Sequence, residues 1–69
     1  MKGKNMEFLW DKLGGKYLTN RFLVCKALGI GHERADALLE GLEVLVISKT
    51  KYLRTMDVIE RIEKGFVRV

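Results

Sequence analysis

The sequence predicts a single, mainly α-helical domain with a small β-hairpin. Three observations carry that prediction. Apolar residues recur at helical spacing in four segments, Gly29-Ile30-Gly31 separates two of them by a short turn, and Val44-Leu45-Val46-Ile47 interrupts the helical period with an unbroken, mostly β-branched run. At 69 residues, 48% hydrophobic and 32% charged, the chain can build one small core and is too apolar for a disordered basic tail. Residues 1–4 read as a flexible N-terminus and residues 5–69 as one folded unit.

Taken in order, Asn5 can cap a first helix, Met6 to Leu13, in which Met6, Leu9, Trp10 and Leu13 share one face and Gly14-Gly15 ends the run. Trp10 on that face reads as core. Thr19 is the expected N-cap of a second helix, Asn20 to Leu28, which carries Arg21 and Lys26 and no acid. A third helix is expected from His32 to Leu42, with Ala35, Leu38, Leu39 and Leu42 as its apolar stripe. Ser48-Lys49-Thr50-Lys51 can turn the chain from the strand Val44–Ile47 into a second strand, Tyr52-Leu53-Arg54. Thr55 then caps a last helix, Met56 to Lys64, braced by the spacing of Asp57 to Arg61 and of Glu60 to Lys64, with Gly65 at its end. Phe66-Val67-Arg68-Val69 alternates as a short strand would.

Two short helices joined at a glycine turn form the arrangement with which many proteins read DNA. Such a unit needs a small residue where the helices cross, a turn that admits positive φ, and an apolar pair on the second helix. Cys25, Leu28-Gly29-Ile30, and Ala35 with Leu38 meet those needs.

Leu18-Thr19, Leu28-Gly29-Ile30, Glu33-Arg34-Ala35, the hairpin over 44–54, Leu53-Arg54 and Asp57-Val58 together resemble the compact winged helix-turn-helix domains of excisionases and MerR-type regulators. Leu28 to Ala35 is also similar to the DNA-reading turn in the winged gamma domain of the FtsK translocase. These resemblances cover about residues 17–64 and imply a winged helix-turn-helix fold whose second motif helix enters the major groove while the wing contacts phosphates or the minor groove. The chain departs from the excisionase pattern by one additional residue between Thr19 and Gly29. A more distant similarity, through Asn20-Arg21-Phe22, Arg34-Ala35 and Ile59 to Gly65, is to the omega-type subunit of RNA polymerase, which implies a structural role on a large enzyme.

The formal charge of +4 is unevenly distributed. Residues 17–30 and 44–56 contain bases and no acids, whereas residues 31–43 hold Glu33, Asp36, Glu40 and Glu43 against Arg34. The expected DNA-binding residues are therefore His32, Glu33, Arg34, Asp36 and Ala37 near the bases, and Lys26, Lys49, Thr50, Lys51 and Arg54 on the backbone. An acid can accept from cytosine N4, but near phosphates it repels. The competing expectation is a helix-turn-helix fold whose acidic face binds a basic protein.

Other functions are disfavoured by composition. Cys25 is the only cysteine and His32 the only histidine, which excludes an intramolecular disulfide and a multi-cysteine zinc site. No nucleophile–base pair, paired acids or phosphate-cradling loop appears, so the expectation is a non-enzymatic protein with no cofactor and no small-molecule substrate. The sequence offers no membrane span or signal peptide, and a cytoplasmic location is expected. The absence of Pro and Gln beside abundant Lys and Glu is a bias shared with thermophile proteins. Val44–Ile47 and Phe66–Val69 are the apolar segments available for a homodimer.

Overall fold

A computed structural model describes residues 2–67, with side chains from Met6 onward. The elements follow as α1 (Lys2–Lys12), β1 (Leu18–Thr19), α2 (Arg21–Leu28), α3 (His32–Leu39), β2 (Val44–Ile47), β3 (Thr50–Arg54) and α4 (Thr55–Lys64). The result is an α+β domain in which four helices pack with one antiparallel sheet of strand order β1-β3-β2.

Burial follows the apolar spacing in the helices. Leu13, Val24, Ala35, Leu39, Leu53, Val58, Ile59 and Ile62 form the core, with Trp10, Cys25, Ile30 and Leu38 packed against it. Helix α4 reaches both α1 and α3, and α2 lies on α3 and α1, so each helix closes one side of the same small core. Gly29 takes φ +68°, and the N–H groups of Gly29 and Ile30 both reach the Cys25 carbonyl, at 2.8 and 3.2 Å. This left-handed residue ends α2 and lets α3 start three residues later, at His32.

Several boundaries differ from the sequence expectation. Helix α1 starts at Lys2, so Asn5 lies inside it. Asn20 caps α2, its side chain accepting the Leu23 N–H at 2.9 Å. Thr19 instead lies buried in β1 and donates its hydroxyl to the Leu13 carbonyl at 2.9 Å. Helix α3 ends at Leu39, not Leu42: Gly41 takes φ +89°, and Arg61 Nη1 donates to the Leu38 and Glu40 carbonyls, each at 2.8 Å. Those carbonyls are the groups a helix end leaves without partners, and the Arg61 cation also suits the negative end of the dipole. Arg61 is thereby drawn away from Asp57, while Glu60 and Lys64 do pair, at 3.8 Å.

The sheet is larger than a hairpin. Leu18 and Thr19 pair with Arg54 and Leu53 as a third strand. Thr55 does not cap α4 through its side chain; it is the first helical residue and is fully buried, bonding to the loop through its hydroxyl to Lys16 O at 2.6 Å and its N–H to Tyr17 O at 2.8 Å. The hairpin turn is only two residues long, Ser48 and Lys49, both at positive φ, 48° and 70°. Such a turn matches the right-handed twist of the strands it joins. Phe66 and Val67 form no strand and are exposed; Arg68 and Val69 lie outside the described residues.

Candidate nucleic-acid interface

The β2–β3 hairpin, the start of α2 and one face of α3 border an open groove. Asn20, Arg21 and Phe22 line it from α2, His32, Asp36 and Leu39 from α3, and Val44, Lys49, Thr50, Lys51 and Leu53 from the hairpin. The cross-strand row Thr19–Leu53–Val44 explains this placement, because residues paired across an antiparallel sheet share a face. Thr19 and Leu53 are buried toward the helices, so Lys51, two residues from Leu53, points to the same side.

Five of the expected residues thus meet in one groove: His32 and Asp36 are one helical turn apart, facing Lys49, Thr50 and Lys51. Glu33, Arg34 and Ala37 are exposed around the remaining outer surface of α3. Lys26 is exposed on α2, with its ammonium 5.8 Å from the centre of the Phe22 ring. Phe22 is 61% exposed at the groove and was not among the expected contacts; a large aromatic residue directly after Arg21 at the start of α2 was its signal in the sequence.

Two ion pairs rearrange the charges. Arg21 Nη1 donates to both Asp36 carboxylate oxygens, at 3.0 and 3.1 Å, tying α2 to α3 and covering the acid that faces the groove. Arg54, like Lys26, is an expected backbone contact that does not line the groove. Its row pairs with Leu18 on the sheet face opposite Leu53, and Nη1 donates to Glu43 Oε1 at 2.8 Å and Asp57 Oδ2 at 3.1 Å. Hydrogen bonding to Glu43 first, then to Asp57 and Tyr17, holds the Arg54 guanidinium protonated even more firmly than usual. It joins the end of β3 to the start of α4 and is not directed at the groove.

After these pairings, Lys26, Lys49 and Lys51 carry no ion-pair partner among the described residues. Gly31, at the N-cap of α3, has no side chain to accept the N–H groups of the first turn, leaving a partial positive charge at the same end of the helix as His32. Among the described residues no group of three His, Cys, Asp or Glu side chains is placed to hold a metal ion, and no helix is long and apolar enough to cross a membrane.

Comparison with known protein families, curated proteins and solved structures returns no match for this chain.

Proposed function

We propose that the protein is a small, non-enzymatic duplex-DNA-binding protein of winged helix-turn-helix type. In this reading α3 lies in the major groove and the β2–β3 hairpin is the wing on the adjacent backbone. The observation that carries it is the groove itself, where the uncapped start of α3 and His32 face Lys49 and Lys51 across an open space. Backbone N–H groups at a helix start and unpaired lysines are both phosphate ligands, and together they would fix the register of α3 on the duplex. Glu33, Arg34 and Ala37 are then the side chains presented to base edges, while Lys26 and Phe22 flank the backbone. Asp36 acts differently from a base contact: it holds Arg21 and is neutralised by it. A transcriptional regulator, an excisionase-like factor and an architectural protein all use this surface in the same way.

The test is a salt titration of affinity for duplex DNA. Each phosphate contact contributes a slope of about −0.9 in log K against log salt, so Lys49→Ala combined with Lys51→Ala should flatten the slope by about 1.8. Between about 50 and 200 mM salt, that is roughly a 12-fold smaller loss of affinity. Absence of duplex binding at low salt, or a slope unchanged by the double substitution, overturns the reading. Retention of a basic protein by the unsubstituted chain, together with no duplex binding, would point to the acidic outer face of α3, where Glu33 and Glu40 are exposed.

A further inference from the structure

The strand β2 is at the edge of the sheet, and its four residues are apolar on both faces. Val44, Leu45, Val46 and Ile47 are 50, 49, 58 and 48% exposed. Edge strands are ordinarily protected by charge, proline, a bulge or a covering element, because their unpaired backbone groups recruit another strand. Within Val44–Ile47 there is no charge and no proline, and the ladder with β3 runs without a bulge from Val44↔Leu53 to Ile47↔Thr50.

From this edge we infer that two copies of the chain associate by antiparallel pairing of β2 with β2, centred on Leu45. A two-residue hairpin makes Ile47 and Thr50 a hydrogen-bonded pair, and alternation then assigns Leu45 to β3 as well. The N–H and C=O groups of Val44 and Val46 consequently face the open edge. A two-fold axis normal to the sheet and passing beside Leu45 sets Val44 against Val46 of the second copy, and Val46 against its Val44, so that both outward sets of backbone groups are satisfied. The sheet then continues through six strands, with apolar contacts on both faces and both candidate DNA grooves on the same side.

Charge favours a second copy in this direction. Glu43, which also holds Arg54, precedes the strand and the unpaired Lys49 follows it, so antiparallel pairing brings the Glu43 end of each strand toward the Lys49 end of the other and keeps the two Lys49 ends apart. Parallel pairing sets like beside like. Four half-exposed side chains on one strand offer less than the roughly 800 Å² per partner typical of a stable complex, so the dimer is weak and concentration-dependent. The inference does not depend on DNA binding, and its test uses none.

Sedimentation equilibrium of the full chain under reducing conditions, up to about 1 mM, should give a mass rising from monomer toward dimer. Val46→Lys, at an exposed site, should keep the chain monomeric with an unchanged circular dichroism spectrum, whereas Phe66→Ser should leave association intact. In a Cys25→Ala background, Leu45→Cys should form a symmetric disulfide on mild oxidation, because facing residues in a non-hydrogen-bonded pair have Cα atoms about 4.5 Å apart, within disulfide range. Lys51→Cys, on the strand behind, should cross-link far more slowly. A monomer at every concentration, a dimer that persists in Val46→Lys, or Leu45→Cys cross-linking no faster than Lys51→Cys overturns the proposal.

Discussion

Replacing Lys49 with Gly sets the stability of the hairpin turn against its proposed contact with phosphate. Lys49 has φ +70°, and Ser48 before it φ +48°, in a turn that natural hairpins usually fill with Asn-Gly. Holding an L-residue in the left-handed region costs about 1–2 kcal/mol. Glycine relieves that cost but adds about 0.5–1 kcal/mol of backbone entropy lost on folding, leaving a net stabilisation of up to about 1.5 kcal/mol. In a domain of this size, that raises Tm by up to roughly 12 °C. Lys49 has no ion-pair partner among the described residues, so no compensating loss from a broken pair is expected in the fold. Duplex affinity should move the other way: one phosphate contact fewer flattens the salt slope by about 0.9, which is a factor of about 3.5 between 50 and 200 mM salt. Thermal melting by circular dichroism and a fluorescence-anisotropy salt titration read the two effects separately. A lower Tm refutes the account of the turn. An unchanged salt slope refutes the placement of Lys49 on phosphate.

Three further substitutions probe different parts of the molecule. Asp36→Asn weakens an ion pair whose side chains are 49% and 58% exposed, so stability should fall by no more than about 0.5 kcal/mol by chemical denaturation, while release of Arg21 toward the duplex steepens the salt slope by about 0.9; a loss of duplex affinity would instead mean that Asp36 accepts from a base. Val58→Ala empties a fully buried core position, and the lost transfer energy plus the remaining cavity should cost about 2–3 kcal/mol, measured as a fall in Tm of roughly 10–20 °C. Arg61→Met keeps the aliphatic stem but withdraws both hydrogen bonds from the Leu38 and Glu40 carbonyls; urea denaturation should show a loss of about 1–2 kcal/mol, and amide exchange should quicken at the end of α3.

What the sequence made legible was the part of the fold governed by local chemistry. The apolar stripes of the helices, the glycine break at Gly29 and the β-branched run at Val44–Ile47 act within a few residues, and each marks a real element. The elements missed or misplaced are those decided by distant partners. Leu18–Thr19 is a strand because Leu53 and Arg54 lie beside it, and nothing in two residues announces that pairing. Thr19 and Asn20 are both good caps by type; Thr19 is removed from that role by the Leu13 carbonyl, six residues earlier. Leu42 continues the apolar spacing of α3, but positive φ at Gly41 and capture of the preceding carbonyls by Arg61 end the helix first. The hydrophobicity of β2 correctly indicated a strand but not its place in the sheet, because hydrophobicity does not distinguish a central strand from an uncovered edge.

The same division between local and distant causes decides how the charges should be read. Along the sequence, the segment 31–43 is acidic and stands against any surface for a polyanion. In the folded chain, two of its four acids are answered from outside the segment: Asp36 by Arg21, fifteen residues earlier, and Glu43 by Arg54, eleven residues later. Glu33 and Glu40 remain on the outer surface of α3 together with Arg34. Both neutralising arginines come from the basic segments, so the pairing also removes two cations from the count of free phosphate ligands. What survives is Lys49 and Lys51 at the groove and Lys26 on α2 beside Phe22. Exposed pairs such as these add little to stability, but they fix where the unpaired charge is left. The local field that a duplex would meet is therefore set by which pairs close, and in the proposed reading the short salt-sensitive footprint comes from about three lysines and one helix start.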